Sequence, residues 1–275
     1  MLITNILSYE FVQRALITGV LIAAACSILG VFLVLRRLSL IGDGLAHVTF
    51  GSVAIVLLIG FSPLYVTLAA LPLVVVSSIA ILHLTRSRRI HGDAAIGIVS
   101  SIGIALGVIM ASLSGGYNAD LLSYLFGNIL TATQTELILS FIIFTAVILF
   151  VVFFYRDLFT VTFDEELAKS MGVKTNRVNV ILMILTAAAV VSAMKIAGIM
   201  LVSALLILPP VAALQFSLSF KSTIIASFIF SVISVIGGML FSFTFNLPTG
   251  GTIVIFNAVF LVIVLFAKKM LRTQR

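Results

Sequence analysis

The chain has 275 residues, of which 62% are hydrophobic and only 9% charged, against about 25% charged in ordinary soluble domains. That balance excludes a water-soluble globular protein and a disordered chain, and a single cysteine, Cys26, excludes a disulfide scaffold and a thiolate metal site. The net charge of +7 reads as cationic loops held on one membrane face, with no nucleic-acid partner.

A bilayer-spanning helix needs roughly 20 apolar residues. Nine runs meet or approach that length: Ala15–Leu35, Leu40–Gly60, Pro63–Leu84, Ala94–Leu113, Leu137–Tyr155, Val178–Met194, Gly198–Phe216, Thr223–Phe245 and Thr252–Ala267. They are too long for membrane β-strands and lack the period-2 alternation of a barrel. The expectation is an all-α polytopic transmembrane bundle of eight or nine spans, one domain over residues 1–275. Lys195 interrupts the sixth and seventh runs, which makes that division the weakest. Leu121–Leu130 is too short to cross and reads as an interfacial or re-entrant helix. The first run is full length and lacks a basic leader, so no cleavable signal peptide is expected.

Orientation follows from counting. With the N-terminus outside and the C-terminus inside, the cytoplasmic segments hold 14 of the 16 basic residues, and only Arg14 and Lys195 fall outside. Tyr9, Tyr65, Tyr117, Tyr124 and Tyr155 fall near span ends and stand in for the missing tryptophan belt. Gly103 and Gly107 form a GxxxG that reads as helix packing, and Gly237-Gly238 reads the same way. Pro209-Pro210 should kink the seventh span, as a gate or as an ordinary membrane-helix kink.

Ionisable residues within spans default to functional roles. In Ser39-Leu40-Ile41-Gly42-Asp43-Gly44-Leu45-Ala46-His47, Asp43 and His47 stand four apart, on one helical face about a turn from each other. A carboxylate and an imidazole at that spacing can share a divalent cation such as Zn²⁺ or Mn²⁺. One helix supplies two ligands; a two-fold copy supplies four. The alternative is structural: Asp43 caps the helix beyond Ser39 or pairs with Arg36 or Arg37, and His47 meets a backbone carbonyl. His83 and His91 read as solvated or interfacial, and Asp93 as a cap of the fourth span. Lys195 either snorkels to the interface or pairs with Asp120 or Glu136 to hold an outer gate.

The longest loop, Arg156–Arg177, contains Val161–Val173, which reads as one short amphipathic helix. Asp164, Glu165 and Glu166 suit its first turn, and Gly172 suits the position past its end. Phe163, Leu167 and Met171 recur every four residues as one apolar stripe. On a loop, such a stripe either docks on a partner or lies on the membrane surface. The chain carries no G-x-x-x-x-G-K-[ST] phosphate loop, no H-E-x-x-H and no nucleophile–base pair, so it is not expected to hydrolyse ATP itself or to act as an enzyme of those classes, and no cofactor is expected.

Arg36-Arg37-Leu38-Ser39-Leu40-Ile41-Gly42-Asp43-Gly44-Leu45-Ala46-His47 resembles the R-R-x-S-x-x-G-D-x-x-x-H signature of the metal-ion ABC permeases. Four further stretches resemble that family in order: Asp93–Ile98, Asp120–Leu130, Leu201–Pro210 (with Pro210 where a small residue is usual) and Pro248–Thr252. The resemblance implies a homodimeric permease of the bacterial cytoplasmic membrane. It implies cytoplasmic ABC ATPase subunits and an extracytoplasmic metal-binding protein as partners, the latter docking around Tyr117–Gln134. It places the metal at Asp43 and His47, and it makes Phe163, Asp164, Glu165, Glu166, Leu167, Ala168, Met171 and Gly172 the helix that couples to the ATPase. Ala193-Met194-Lys195 and Tyr124–Gly127 look more like the zinc branch, with manganese or iron as alternatives. A rival of another class is a stand-alone secondary transporter that uses Asp43 and His47 as a proton relay.

Overall fold

The computed structural model describes residues 9–62, 65–85, 92–114, 124–125, 127, 132–199, 202–216 and 219–273. The helices that order the described residues are α1 (Glu10–Leu35), α2 (Ile41–Leu58), α3 (Val66–Thr85), α4 (Gly92–Leu113), α5 (Gln134–Phe153), α6 (Tyr155–Phe163), α7 (Glu165–Ser170), α8 (Thr175–Ala197), α9 (Val202–Leu214), α10 (Phe220–Phe245) and α11 (Thr249–Thr273). No strand occurs among the described residues. Helices dominate because hydrocarbon offers no water to the backbone, so each segment must satisfy its own N–H and C=O groups.

Eight of these helices are long and apolar enough to cross a membrane, and α9 is the shorter exception. At 13 residues it is about 20 Å long, against a hydrocarbon thickness of about 30 Å. The chain still makes a ninth passage there. α8 starts beside α7 and runs 23 residues away from it, about 34 Å. α10 starts back at the same end, where Phe220 packs its ring on Phe159 and Phe163. The return passage therefore lies between Ala197 and Phe220, and only its second part is the helix α9. The expected run Gly198–Phe216 is shortened accordingly. Its boundary with the preceding span is not at Lys195: α8 continues through that residue and stops at Gly198, whose φ of 82° ends the helix. Lys195 is tolerated because a cation in the last turn complements the helix dipole.

α1 is the axis of the fold. In its most apolar window 78% of residues are buried, against 28% for α4, α5 and α11. It packs on α5, α8, α9 and α10, and Phe32, Ile22, Leu29 and Leu33 are among the largest side chains sealed in the core. α2 lies between α3, α4, α8 and α9. α2 and α4 approach closely through small residues: a Cβ added to Gly103 would stand 2.7 Å from Val48 Cα, and one on Gly51 would press into the Gly103 carbonyl oxygen. The GxxxG of α4 is thus a packing device, as its spacing suggests.

α9 continues through both Pro209 and Pro210. Neither proline can donate to the carbonyl one turn back, so the carbonyls of Leu205 and Leu206 lose their helical donors. α1 closes against that point. A Cβ on Gly30 would collide with the Leu206 carbonyl oxygen and stand 2.8 Å from Pro210 Cγ.

His91, Asp120, Arg86, Arg88, Arg89, Tyr117 and most of Leu121–Leu130 lie outside the described residues. Replacing Gly103 with leucine is expected to cost about 1–3 kcal/mol by overpacking the α2–α4 contact. Thermal unfolding in detergent reads this loss, with Gly97→Ala as the neutral control, because nothing lies within 4 Å of a Cβ added at Gly97.

Candidate metal site and its mechanical connections

α1 ends in a reversal that sets the position of α2. The Arg37 N–H donates to the Val34 carbonyl and the Leu38 N–H to the Leu33 carbonyl, with Arg37 left-handed at φ 58°. This is the paired closure that helices use to satisfy their last carbonyls. α2 then begins at Ile41, and its cap position, Leu40, makes no side-chain cap bond. Ser39 is therefore not the cap that the sequence suggests, because the turn places Leu40 and not Ser39 at the boundary.

Most of α2 is buried, but Leu40, Asp43 and His47 fall on its less buried strip. The Asp43 and His47 side chains are 52% and 28% exposed, and Asp43 Oδ2 stands 3.6 Å from His47 Nε2. That is too long for a good N–H···O bond. It suits an ion between the two atoms: ligands about 2.1 Å from a tetrahedral ion stand about 3.4 Å apart. On the other side, Ser203 Oγ lies 3.5 Å from Asp43 Oδ1. Ser203 is the second residue of α9, so the N-terminal turn of a half-length helix abuts the carboxylate. The positive dipole end of a helix favours a negative charge nearby, a pattern that broken membrane helices use at ion sites.

Gly42 and Gly44 let the neighbouring helices in. A Cβ on Gly42 would stand 2.6 Å from Leu206 Cδ1 of α9, and one on Gly44 would stand 2.6 Å from Ile96 Cγ2 of α4. The alternative pairing of Asp43 with Arg36 or Arg37 does not occur. Arg36 instead donates from Nη2 to Asn179 Oδ1 of α8 at 2.6 Å, and the same nitrogen lies 3.7 Å from Glu165 Oε2 of α7. Among the described residues no group of three or more His, Cys, Asp or Glu side chains could hold a metal ion, so one chain offers two such ligands at this place. His83 is exposed in the last turn of α3, and Asp93 is exposed in the first turn of α4.

The far end of α8 carries the second polar group. Lys195 does not snorkel to the interface; it forms an ion pair with Glu136 of α5, and both side chains are nearly buried, at 15% and 10% exposure. Glu136 serves twice. Its other oxygen accepts from the Thr133 N–H at 2.8 Å, while the Glu136 N–H donates to Thr133 Oγ1, closing a capping box at the start of α5. Lys195 Nζ also lies 6.0 Å from the Tyr124 ring centroid, and the Tyr124 hydroxyl is 3.4 Å from Thr67 Oγ1. A carboxylate at one helix N-terminus and an ammonium at another helix C-terminus each meet a favourable dipole, which explains why pairing prevails over snorkelling.

The segment expected as one amphipathic helix is two. Asp164 takes an extended conformation, and its Oδ1 accepts from the Leu167 N–H at 2.9 Å, so it ends α6 and caps α7. A short Asp side chain competes for backbone donors and favours the cap over the helix interior. Gly172, at φ 83°, closes the other end. Ala168 is buried, whereas Phe163, Leu167 and Met171 are 60%, 52% and 68% exposed. Among the described residues the stripe is thus largely exposed, with only Phe163 meeting other rings, those of Phe159 and Phe220. Glu165 pairs within α7 with Lys169 at 3.2 Å, and it ties α7 to the end of α1 through Arg36.

The sequence reading placed Ser203 only within the Leu201–Pro210 stretch and gave no role to it, to Asn179 or to the capping by Glu136. Ser203 and Asn179 each carried a signal, as polar side chains among apolar neighbours.

A family model described as the ABC 3 transport family matches residues 8–268. The chain is similar to the manganese transport system membrane protein MntC of Halalkalibacterium halodurans, at 32% identity over 91% of this chain and 85% of that protein. It is similar to the high-affinity zinc uptake system membrane protein ZnuB of Haemophilus influenzae, at 31% identity over 96% of this chain and 100% of that protein. Among solved structures, a chain of PsaBC from Streptococcus pneumoniae in complex with Fab superposes with a TM-score of 0.86 at 31% identity, over 99% of this chain and 98% of that one.

Lys195→Met is expected to destabilise the fold by about 3 kcal/mol, because it leaves Glu136 buried without its cation, and Lys195→Met with Glu136→Gln should recover part of that loss. A double-mutant cycle of unfolding free energies in detergent checks this; additive losses would show that the two do not interact.

Proposed function

From the premise that the chain belongs to the ABC 3 transport family, as a multi-pass metal-transport permease of the bacterial cytoplasmic membrane, we propose that Asp43 and His47 of two copies hold the transported ion together. Permeases of this family work with a separate ATPase subunit and a substrate-binding protein. The observation that carries the proposal is the Asp43–His47 pair, 3.6 Å apart on the less buried strip of a helix otherwise sealed in protein. One chain brings one carboxylate and one imidazole to this place, and ions of this class take at least four ligands. A second copy related by a two-fold axis supplies the remainder.

The chain is one transmembrane permease domain, with residues 156–177 as its coupling segment. The α7 end faces the cytoplasm and the Lys195 end faces out, an orientation that places 14 of 16 basic residues inside. Phe163, Leu167 and Met171 dock in the ATPase, and Asp164, Glu165, Glu166, Ala168 and Gly172 shape and anchor the helix that presents them. Arg36 joins Glu165 of that helix to Asn179, at the corner that leads to Asp43. Displacement of α7 thus has a short rigid route to the ligand-bearing helix. The Lys195–Glu136 pair holds the outer gate, and the donor-free turn at Pro209-Pro210 lets α9 bend when the pathway switches. Zinc is the proposed cargo: two carboxylates and two imidazoles make the four-coordinate N/O set that zinc takes readily.

Asp43→Ala and His47→Ala are each expected to lower zinc uptake by well over tenfold with assembly intact, since even the outer hydrogen-bond partners of metal ligands are worth about 10–100-fold. Uptake in a deletion strain complemented with each variant measures this, with total zinc, manganese and iron compared. Normal uptake in both variants refutes the ligand assignment, and a manganese deficit alone refutes zinc. Leu167→Ser with Met171→Ser should strip the ATPase from the purified complex. Arg36→Ala should keep the ATPase bound and hydrolysing while metal carried per ATP falls severalfold; an unchanged ratio excludes the Arg36 route.

A further inference from the structure

Between the end of α5, the start of α6 and the first turns of α10 lies a groove of about 620 Å³ for which the transport reading has no use. Its walls are sorted by polarity along the helix axes. The part that runs beside the spans is apolar: Val152 of α5 and Ile225 of α10 face it and are 65% and 59% exposed. Polar groups gather at the helix ends, just past the point where α5 stops at Phe153. There stand Tyr155, Arg156 and Lys221. Lys221 Nζ lies 5.1 Å from the Tyr155 ring centroid, a cation–π contact that holds the ammonium over the mouth of the groove. Asp157 lines the mouth as well, so two cations face one carboxylate.

Three further facts bear on what would fit. Burial pushes the Tyr155 phenol above its ordinary value, so at neutral pH it is a protonated donor. Tyr155 and Arg156 lie in the first turn of α6, and Lys221 lies in the first turn of α10. Two helix N-terminal turns thus line the mouth; the last turn of α5 lines it as well, so the charge preference there is set by the Arg156 and Lys221 side chains. The groove sits at the α7 end of the bundle, the cationic end, beside the rings of Phe159, Phe163 and Phe220.

A free anion would use the mouth and leave the apolar walls bare. A hydrocarbon chain would use the walls and leave two cations unanswered. A molecule with an anionic head and an acyl tail satisfies both, and the boundary of the span puts each part at its proper depth. Basic pockets between membrane helices on the cytoplasmic side have this chemistry. We propose that the groove binds one anionic phospholipid, with its phosphate held between Arg156 and Lys221, its head accepting from the Tyr155 hydroxyl, and one acyl chain laid along Val152 and Ile225. This lipid sits at the root of the α6–α7 elbow. Its binding rests on the membrane-spanning fold alone and does not require the metal or coupling roles proposed above.

The permease purified with its ATPase subunit, stripped of lipid and titrated under native mass spectrometry with phosphatidylglycerol or phosphatidylcholine, tests this directly. One phosphatidylglycerol per chain should bind well ahead of phosphatidylcholine. Arg156→Ala with Lys221→Ala should weaken phosphatidylglycerol about 30-fold, at about 1 kcal/mol per cation, and Lys268→Ala should not. Ile225→Trp should block the acyl strip and weaken phosphatidylglycerol comparably. The altered residues are exposed or half-buried, so monodisperse elution with the ATPase still bound certifies the fold. Equal retention of both lipids overturns the proposal, as does an unchanged preference in the double variant. Full displacement by inorganic phosphate, with Ile225→Trp without effect, would mark the mouth as a free-anion site and overturn it too.

Discussion

Hydrocarbon gives a polar group nothing to bond to, and nearly every unusual feature of this chain answers to that constraint. Lys195 and Glu136 meet each other, and Glu136 also caps a helix. Arg36 meets Asn179 and Glu165. Asp43 and His47 are different: they stand beside each other without a good hydrogen bond and open to the outside of the chain. A carboxylate and an imidazole placed that way at membrane depth are costly unless an ion or a second protein surface completes them. Ser203, in the first turn of α9, reaches Asp43, and the positive end of that helix lowers the cost of a charged carboxylate nearby. The homodimer proposal follows from this incompleteness, because the site lacks ligands that a two-fold copy would bring.

The same helices connect that site to both ends of the bundle. Toward α7, the reversal at Arg37 and the Arg36 bridge join the corner before α2 to the helix with the largely exposed stripe. Away from α7, α9 reaches the site through the passage that follows Gly198, next to the Lys195–Glu136 pair at the end of α8. Close glycine contacts on α2 and α1 make these connections stiff, since any side chain there would push the helices apart. On the coupling role proposed for α7, a push there would reach α2 through these contacts.

The sequence made the spans legible because apolar length is a strong signal, and eight of the nine runs correspond to crossing helices with ends shifted by a few residues. It misjudged the ninth. Gly198–Phe216 has the composition of a span, but composition does not report that Gly198 takes a positive φ and leaves only 13 residues helical. Asp164 is a similar case: the stripe Phe163–Leu167–Met171 has perfect helical spacing, yet the aspartate prefers to cap and splits the segment. Asp43 and His47 were visible as a spacing of four. Ser203, 160 residues away, was not, because local pattern carries no information about which distant helices become neighbours; for the same reason Glu136 was named only as one of two candidate partners for Lys195.

The central claim is that one ion is gripped by two copies of α2. X-ray absorption at the zinc edge, with metal content per chain, on the purified complex loaded with zinc reads this most directly. The account predicts one zinc per two permease chains, a first shell of nitrogen and oxygen without sulfur, two imidazoles in that shell, and loss of the site in Asp43→Ala. One zinc per chain with a single imidazole, or a spectrum unchanged by Asp43→Ala, would contradict it.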